Sequence, residues 1–527
     1  MRVLISDKLP DVAVKILTAE PSIEVDNKPG LPVDELKAII GNYDGIIIRS
    51  GTKLTADILD HACKMKAIAR AGVGVDNVDV KAASRKGIIV MNTPGGNTTS
   101  TAEHTVAMLL ALARNIPQAY NSLKSGQWDR KSFVGTQLSG KNIGIIGLGR
   151  IGLEVAKRCL AFEMKVLAYD PYISPERAAQ LNIELTSLQS IWERGDFITV
   201  HTPMTSETRG LIGAKELAQM KKEARIINCA RGGIVDEEAL ADALQAGKVA
   251  GAAIDVFSAE PPTSRRLIDM PQVLCTPHLG ASTEEAQINV SIDAAAQLVD
   301  ALTGRGVRFA VNLPSIDSQE AQVLQPYSNL AEKMGCLLRQ LGTGQLKAVE
   351  VCYTGDLSQM NVTPVTRSLT AGLLKPVLEE NVNLVNAPVL AEERGISIIE
   401  SRSSTSGDYT TTLQVKMITD QDTHFIEGAL FGKSDPRIVN MNGYHVEVIP
   451  RESLLVIMLN KDRPGLIGEF GRIMAKRNIN ISSMTFGCKV PGGDAMTVLN
   501  LDAKPCETVL EEIRRVENVR AAVAIEL

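Results

Sequence analysis

The feature that most restricts the fold of this chain is a regular alternation of short apolar runs with segments of helical length. Apolar runs bounded by Gly, Asn or Pro lie at residues 3–6, 45–49, 67–70 and 88–91. Segments with helical periodicity, such as 32–40 and 55–63, lie between them. Strands and helices that alternate in this way form a mostly parallel sheet with helices on both faces.

A second alternating series follows a helix that we predict at residues 100–113, with Ser100 or Thr101 as its N-cap and Glu103 in its first turn. The strands of this series are predicted at 142–146, 166–169, 197–201, 225–228, 252–255 and 273–275. A helix at 284–303 should end at Gly304 and carry the chain back to the first series. The chain is therefore expected to contain two doubly wound, Rossmann-like α/β units.

Two further units are expected after Pro314, where the composition shifts to Ser, Gln, Asp and Pro. In the next stretch we predict one helix at 324–341 and strands at 348–353, 410–418 and 427–431, which is an α+β pattern. The last block runs strand, helix, strand, strand, helix, strand, the order of a ferredoxin-like βαββαβ fold. The predicted boundaries are a first unit of 1–98 plus 288–315, a nucleotide unit of 99–287, an intervening unit of 316–450 and a C-terminal unit of 453–527.

Composition narrows the class of protein. The 527 residues carry a net charge of −5, 22 % charged residues and a mean hydropathy of +0.03. These values disfavour disorder and give no electrostatic footprint for nucleic acid or anionic lipid. The N-terminal apolar stretch is too short for a secretory signal, and no apolar run approaches the roughly 18 residues that cross a bilayer. We therefore expect a soluble cytoplasmic protein without nucleic-acid or membrane partners.

The eight cysteines are scattered, with no CxxC pair and no spacing typical of a zinc site. We expect them to be buried thiols in a reducing cytosol, without structural disulfides or a bound metal.

A glycine-rich turn opens the nucleotide unit. Residues 147–152 (GLGRIG) follow an apolar strand and precede a helix, and Asp170 closes the next strand. In this context Gly147 permits the tight turn, Gly149 lets the backbone approach a pyrophosphate, and Gly152 lets helix and strand pack closely. Asp170 would accept a hydrogen bond from a ribose hydroxyl and repel a 2′-phosphate, which favours NAD over NADP. The alternative is a glycine turn that binds no ligand.

Six histidines are candidates for exchanging a proton with a substrate hydroxyl. His61, His424 and His445 fit surface or packing roles, and His104 could lie at the interface of the two α/β units. His201 and His278 lie at the ends of predicted strands, where open α/β sheets bind ligands. His278 is the stronger candidate because its segment closes the last strand before the chain returns to the first unit.

Three segments of the nucleotide unit resemble the signature segments of the D-2-hydroxyacid dehydrogenase family: 228–233 (NCARGG), 255–262 (DVFSAEPP) and 276–283 (TPHLGAST). The resemblance implies that His278 is the general acid/base. It also implies that Glu260 holds the other ring nitrogen of His278, and that Arg231 binds the substrate carboxylate or polarises the carbonyl. Taken singly, Arg231 could instead form a structural ion pair, and Glu260 could be a solvated loop residue.

The first unit resembles the phosphoglycerate dehydrogenase branch of that family at residues 49–52 (RSGT), 70–77 (RAGVGVDN) and 92–94 (NTP). The resemblance implies that Arg49 and Arg70 bind the phosphate and carboxylate groups of the substrate. Ser50, Gly72, Gly74 and, from a neighbouring subunit, Arg130 complete the substrate site that it implies. The alternative is that the arginines pair with Asp44, Asp76 or Asp79.

The same resemblance assigns a set of residues to the NAD site. These residues are Val73, Gly147, Gly149, Arg150, Ile151, Gly152, Asp170, Thr202, Cys229, Ala230, Arg231, Asp255, His278, Gly280 and Ala281.

Residues 459–468 (LNKDRPGLIG) resemble the first loop of an ACT domain. Such domains sense amino acids at dimer interfaces, which implies that Asn460, Asp462 and, across the interface, Asn480 hold L-serine. The alternative is that this unit only stabilises a homo-oligomer, a dimer or a tetramer.

The resemblance as a whole implies oxidation of 3-phospho-D-glycerate to 3-phosphooxypyruvate with NAD, the first step of L-serine biosynthesis, with feedback by serine left open. One alternative is a glyoxylate or hydroxypyruvate reductase, which has less need of Arg49 and Arg70. Another is a non-catalytic protein that senses NAD.

Overall fold

The chain is described by a computed structural model. It describes residues 1–314, 318–378, 381–404, 408–451, 453–459, 461, 463–488 and 493–527.

The first unit is a five-stranded parallel sheet with the strand order β2-β1-β3-β4-β5. Its strands are β1 (Arg2–Ile5), β2 (Glu24–Asn27), β3 (Gly45–Ile48), β4 (Ala67–Arg70) and β5 (Ile89–Met91). Its helices are α1 (Asp11–Thr18), α2 (Val33–Ile39), α3 (Ala56–Asp60) and α4 (Val80–Arg85), with a 3₁₀ turn at Ile40–Asn42. The strands β3 and β4 lie in the middle of the sheet and are almost fully buried, as apolar parallel strands require.

Two helices, α5 (Thr98–Ala113) and α6 (Ile116–Lys124), lead into the nucleotide unit. Its strands are β6 (Asn142–Ile146), β7 (Lys165–Tyr169), β8 (Glu184–Leu185), β9 (Phe197–Val200), β10 (Arg225–Asn228), β11 (Gly251–Ile254) and β12 (Val273–Cys275). Between them lie α7 (Arg150–Ala161), α8 (Pro175–Gln180), α9 (Leu188–Arg194), α10 (Ala214–Leu217) and α11 (Glu237–Gln245). The parallel sheet has the order β12-β11-β10-β9-β6-β7-β8, so its direction of winding reverses between β6 and β9.

The long helix α12 (Glu284–Thr303) returns the chain to the first unit, as predicted, and ends at Gly304 with φ of 76°. Its apolar face packs in the same core as β1, β3 and β4. Beyond it, Ala310 bridges Met91 of β5. The Asn312 side chain accepts a hydrogen bond from the Val90 amide and donates to the Ile88 carbonyl. The two α/β units are therefore connected twice, by α5 going out and α12 coming back.

The intervening unit contains a six-stranded mixed sheet in which the second strand along the chain lies at one edge and the last strand at the other. Its helices are α13 (Ser318–Leu341), α14 (Thr363–Leu374) and α15 (Ala387–Glu393), with a 3₁₀ turn at Gly355–Gln359. Its strands are β13 (Leu346–Thr354), β14 (Ser397–Ser403), β15 (Thr412–Thr419), β16 (Thr423–Phe431), β17 (Asp435–Met441) and β18 (Tyr444–Val448).

The C-terminal unit has the order strand, helix, strand, strand, helix, strand that the sequence predicts. Its elements are β19 (Ser453–Leu459), α16 (Leu466–Lys476), β20 (Ile481–Cys488), β21 (Ala495–Leu501), α17 (Glu507–Arg514) and β22 (Val519–Glu526). The antiparallel sheet has the order β20-β21-β19-β22, which is the ferredoxin-like arrangement. The predicted fold class is confirmed for all four units, while their boundaries stay predictions.

The start of α5 was predicted wrongly. The helix begins at Thr98 after Asn97, so Ser100 and Thr101 lie inside it and Glu103 lies beyond its first turn. The Ser100 hydroxyl hydrogen-bonds to the Thr283 hydroxyl at 2.7 Å, and Thr101 is buried. Tertiary contacts therefore engage the two side chains that we expected to cap the helix.

Several strands were not predicted because they are short or polar and lie at the edge of a sheet. Backbone pairing with one neighbour stabilises such strands, so their sequences need no apolar run. The strands β2, β8 and β14 are of this kind. The expectation that the cysteines are buried holds for Cys159 and Cys229, whereas Cys63, Cys488 and Cys506 are exposed. Among the described residues, no helix combines the length and apolarity that a membrane span requires.

The intervening and C-terminal units share one hydrophobic core. Met496 and Val498 of β21 and Val456 of β19 belong to the same buried cluster as Val351 and Met417 of the intervening sheet. Residues on the other face of the C-terminal sheet, such as Leu499, pack instead with α16 and α17. The central strands β19 and β21 of the C-terminal sheet are therefore buried on both faces.

We predict that Met496→Ala destabilises both of these units, by about 2–5 kcal/mol, because it opens a cavity in their common core. Hydrogen exchange should accelerate in β15 as well as in β21. Leu499→Ala, on the same strand but the opposite face, should accelerate exchange only within the C-terminal unit. Equal exchange patterns for the two variants would contradict a shared core.

Candidate active site

The carboxyl ends of the parallel strands of both α/β units face a common cleft of about 560 Å³. Loops that follow β3, β4 and β5 line it from the first unit, and loops that follow β6, β9, β10, β11 and β12 line it from the nucleotide unit. The direction of winding reverses between β6 and β9, so the loops that follow these two strands diverge and leave a crevice. Open α/β sheets bind ligands in such crevices.

The glycine-rich loop between β6 and α7 leaves open space at the N-terminus of the helix. Gly147 has φ of 92°, a conformation that other residues rarely adopt, and it makes the turn out of β6. A Cβ on Gly152 would lie 2.0 Å from the Gly147 carbonyl oxygen, so only glycine permits this contact between loop and helix. A Cβ on Gly149 would meet no atom within 4 Å. The N-terminus of α7 therefore opens onto free space, as binding of a pyrophosphate requires.

Asp170, directly after β7, holds this loop. Its Oδ2 accepts a hydrogen bond of 2.7 Å from the Leu148 amide, and its Oδ1 accepts one of 2.8 Å from the Tyr172 amide. A carboxylate can accept further donors, so Asp170 can still receive a ribose hydroxyl. Asp170 and the glycine turn thus form one unit that can hold a dinucleotide.

His278 and Glu260 also line this cleft and form a hydrogen-bonded pair. The His278 Nδ1 lies 2.8 Å from the Glu260 Oε2, and the Glu260 Oε1 accepts a hydrogen bond of 3.1 Å from the Phe257 amide. Because Glu260 is itself oriented by backbone, it can keep the proton of the imidazole on Nδ1. The Nε2 atom then remains available, and the His278 side chain, 48 % exposed, can be reached from the cleft.

Arg231 follows β10 in the nucleotide unit, and its side chain reaches across the cleft to Asp76 of the first unit. Its Nε is 3.2 Å from the Asp76 Oδ2, and its Nη1 donates to the Ala230 carbonyl at 2.7 Å. Asp76 is 71 % exposed on its side chain, so this ion pair is largely solvated and weak. The pair spans the two units without neutralising Arg231 fully.

Arg49 and Arg70 contribute two more guanidinium groups to the same cleft. Neither forms an ion pair with a described carboxylate: Asp44 pairs with Lys66, Asp79 caps α4, and Asp76 pairs with Arg231. The Arg70 Nε is buried and has no hydrogen-bond partner in the described part of the chain. Burial, followed by the charge of Arg231, lowers the pKa of Arg70 to about 10. An anion in this corner of the cleft would supply the missing partner.

His201, the second histidine considered for proton exchange, also lines the cleft. Its Nε2 hydrogen-bonds to the Thr199 hydroxyl at 3.0 Å, and burial lowers its pKa to about 4. The ring is therefore neutral at pH 7 and has no carboxylate partner among the described residues. Its environment suits a packing role better than proton exchange.

Asp255 lies under the cleft floor, with 0 % of its surface exposed. Its oxygens accept hydrogen bonds from the Thr276 hydroxyl and from the Leu279 and Gly280 amides, at 2.6, 2.7 and 2.9 Å. Burial alone would raise the pKa of Asp255, but hydrogen bonds from His104, Thr276 and Leu279 lower it overall. Asp255 is thus an anion held by protein donors, and it does not line the cleft that we expected it to share with NAD.

Most of the predicted site residues come together in this one cleft. Those that line it are Arg49, Ser50, Arg70, Gly72, Val73, Gly74, Gly149, Arg150, Ile151, Thr202, Cys229, Ala230, Arg231, Glu260, His278, Gly280 and Ala281. Gly147, Gly152 and Asp170 do not line the cleft: the two glycines shape the glycine-rich loop, and Asp170 accepts a hydrogen bond from the Leu148 amide of that loop. Arg130 lies on an exposed segment after α6, outside the cleft of its own chain.

The predicted effector residues are described only in part. Asn460 and Asp462 lie outside the described residues. Asn480 is exposed just before β20, and its amide donates to the Asp502 carboxylate at 2.9 Å.

Sequence reasoning missed other residues of the cleft. Asn97, Ser282, Gln287 and Val290 line it from the ends of α5 and α12, the two helices that connect the units. These residues lie near the N-termini of the two helices that connect the α/β units, and this position could have identified them as candidates for the cleft. Asp76 was considered as a partner of Arg49 or Arg70, but it pairs with Arg231 from the other unit.

Family models match three parts of the chain. The NAD-binding domain of D-isomer-specific 2-hydroxyacid dehydrogenases matches residues 106–280, the D-3-phosphoglycerate dehydrogenase intervening domain matches 323–442, and the ACT domain matches 454–518. The range matched by the NAD-binding domain includes the glycine loop, Asp170 and His278.

Whole-length relatives extend the match. The chain is 44 % identical over 527 residues to a D-3-phosphoglycerate dehydrogenase of Synechocystis sp., covering all of this chain and 95 % of that protein. It is 43 % identical over 530 residues to one from Archaeoglobus fulgidus, covering all of both. A crystal structure of a protein from Thermus thermophilus superposes with a TM-score of 0.55 and 36 % identity, over 59 % of this chain and all of that one.

We predict that Asp170→Asn weakens NAD binding roughly 10- to 100-fold and relaxes discrimination against NADP. The substitution removes the negative charge that would strengthen a hydrogen bond from a ribose hydroxyl and repel a 2′-phosphate. It keeps an oxygen for the Leu148 amide, so the loop should stay in place. The measurement is the KM for each cofactor, with Glu176→Gln, an exposed carboxylate of α8, as the charge control. Unchanged KM values for both cofactors would place Asp170 outside the ribose pocket.

Proposed function

This chain belongs to the D-3-phosphoglycerate dehydrogenase family, and on that premise we propose that it oxidises 3-phospho-D-glycerate to 3-phosphooxypyruvate with NAD. This reaction opens L-serine biosynthesis. The observation that carries the proposal is the convergence of three guanidinium groups and the His278–Glu260 pair on the cleft that the glycine loop also borders.

The positive charges of the cleft are complementary to the negative charges of the proposed substrate. A phosphate and a carboxylate together carry about three negative charges, and planar guanidinium groups bind such anions in a fixed orientation. Arg49, Arg70 and Arg231 supply these groups, and the buried Arg70 Nε still lacks a partner among the described residues. We assign Arg49 and Arg70 to the phosphate and carboxylate, and Arg231 to the carboxylate or the carbonyl that forms at C2.

The proton step falls to His278. NAD, held at the glycine loop, would supply the hydride acceptor for oxidation of the C2 hydroxyl, and the hydroxyl proton would then need an acceptor from the protein. The His278 Nε2 accepts that proton, because Nδ1 is engaged by Glu260. The Glu260 carboxylate stabilises the imidazolium that results, and the Phe257 amide keeps the carboxylate in place.

We also propose that the chain works as a homo-oligomer, with Arg130 reaching the cleft of a neighbouring subunit. Support comes from large apolar side chains around α6 that are exposed in the single chain: Ile116, Tyr120, Leu123, Trp128 and Val134, between 52 % and 80 % exposed. Sedimentation of the purified protein measures the oligomeric state directly.

L-Serine is the proposed effector of the C-terminal unit. Support comes from the ACT-like sheet and from its core shared with the intervening unit, through which binding could reach the rest of the chain. Adding L-serine to the activity assays below tests this proposal, with D-serine as the control.

We predict that His278→Ala lowers turnover by about two to four orders of magnitude while leaving the affinity for NAD nearly intact. The reason is that the variant loses the proton acceptor but not the glycine loop. Steady-state kcat and equilibrium NAD titration measure the two effects, and His445→Ala, an exposed histidine of the intervening unit, is the control. Unchanged turnover would assign proton exchange to another group, with His201 the first to test.

We predict that the wild-type protein reduces NAD much faster with 3-phosphoglycerate than with glycerate or lactate. Arg49→Met and Arg70→Met should each raise the KM for 3-phosphoglycerate roughly 10- to 100-fold, the cost of a lost charge-assisted hydrogen bond. The variant that loses the phosphate contact should leave glycerate turnover unchanged, whereas the one that loses the carboxylate contact should affect both acids.

Lys53→Met, an exposed lysine next to the same loop, is the control for these arginine variants. Equal turnover of phosphorylated and unphosphorylated acids by the wild type would refute the phosphate pocket and favour a general hydroxyacid reductase.

A further inference from the structure

The backbone that carries His278 has an unusual conformation. His278 has φ of 55°, in the left-handed region that residues with a Cβ adopt in only a small minority of cases. Interactions with neighbouring residues are therefore needed to hold the loop after β12 in the conformation that positions His278.

Asp255 provides that support. Its backbone carbonyl accepts a hydrogen bond of 2.8 Å from the His278 amide. Its two carboxylate oxygens accept the amides of Leu279 and Gly280, at 2.7 and 2.9 Å. Three consecutive backbone N–H groups thus converge on one aspartate, as in the anion-binding nests that successive amides form.

His104 of α5 supports Asp255 from the other side. Its Nε2 lies 3.2 Å from the Asp255 Oδ1 and 3.3 Å from the Thr276 hydroxyl. Because an ionised carboxylate only accepts hydrogen bonds, the proton of this contact must lie on the His104 Nε2. The side chain is 18 % exposed, so the contact is shielded from water.

The cysteine Cys229 lies close enough to suggest a metal site. The ligand atoms of His104, Cys229 and Asp255 are all within 4.8 Å of one another. The Asp255 carboxylate, however, already accepts the Thr276 hydroxyl, two amides and His104. A cation would have to displace these donors, so the contacts favour a hydrogen-bond network.

We propose that His104 is a positioning residue: by donating to Asp255 it holds the 278–280 loop in the shape that presents the His278 imidazole to Glu260 and to the cleft. The inference rests on the proposed role of His278 in proton exchange. The helix α5 carries the chain from the first unit to the nucleotide unit. The hydrogen bond between His104 and Asp255 therefore makes the geometry of His278 depend on how α5 packs between the two units.

The test compares His104→Phe, which removes the donor but keeps a ring, with His104→Gln, whose amide can replace Nε2–H. His104→Phe should lower kcat roughly 10- to 100-fold, with KM for NAD within about threefold of wild type. The primary isotope effect with 2-deuterated substrate should rise, because proton and hydride transfer become slower than product release. His104→Gln should restore kcat to within about threefold of wild type.

His424→Phe is the matched control. His424 is also 18 % exposed and lies 3.4 Å from a carboxylate, that of Asp422, but in the intervening unit. It should lower thermal stability without changing kcat or the isotope effect. His278→Ala is assayed in parallel to separate this inference from the proposed function.

Two results would overturn the inference while leaving the proposed function intact, provided that His278→Ala is inactive. One is wild-type kcat in His104→Phe. The other is an equal loss in the Phe and Gln variants with an unchanged isotope effect, which indicates a merely structural role. Retained turnover in His278→Ala would instead refute the proton-exchange role on which the inference rests.

Discussion

Parallel strand pairing is the constraint on which the site depends. In each α/β unit the strands run in one direction, so their carboxyl ends, and the loops that follow them, lie along one edge. The helices α5 and α12 connect the units so that these two edges face the same cleft. Residues more than 200 positions apart in the chain, such as Arg49 and His278, are therefore able to act on one small molecule.

Electrostatics then divide the cleft into two ends. At one end the N-terminus of α7 and Asp170 suit a dinucleotide, since a helix N-terminus attracts phosphate and a carboxylate can accept a ribose hydroxyl. At the other, Arg49, Arg70 and Arg231 outnumber the single carboxylate, Asp76, that pairs with them among the described residues. The His278–Glu260 pair lines the same cleft, so it is available to a hydroxyl next to the two anionic groups of such a substrate.

Much of the fold was predictable because its signals are local. The strands 142–146, 225–228 and 273–275 and the helix 284–303 have the predicted bounds, since each is an apolar or periodic run between clear breaks. The strands β2 and β14 were missed because edge strands are stabilised by pairing with a neighbour and need no apolar pattern. The N-cap of α5 was misplaced because the Ser100 hydroxyl is engaged by Thr283, which is 183 residues away.

The sequence by itself determined the residue types of the chemistry: the glycine turn with its aspartate, the three signature segments and the arginines of the first unit. These are local patterns whose backbone demands and side-chain chemistry can be recognised without coordinates. Only the tertiary structure decided which charges meet, because Arg231 pairs with Asp76 across two units and His104 with Asp255 across a helix and a strand end. Such contacts depend on how separate elements pack, and spacing along the chain does not encode them.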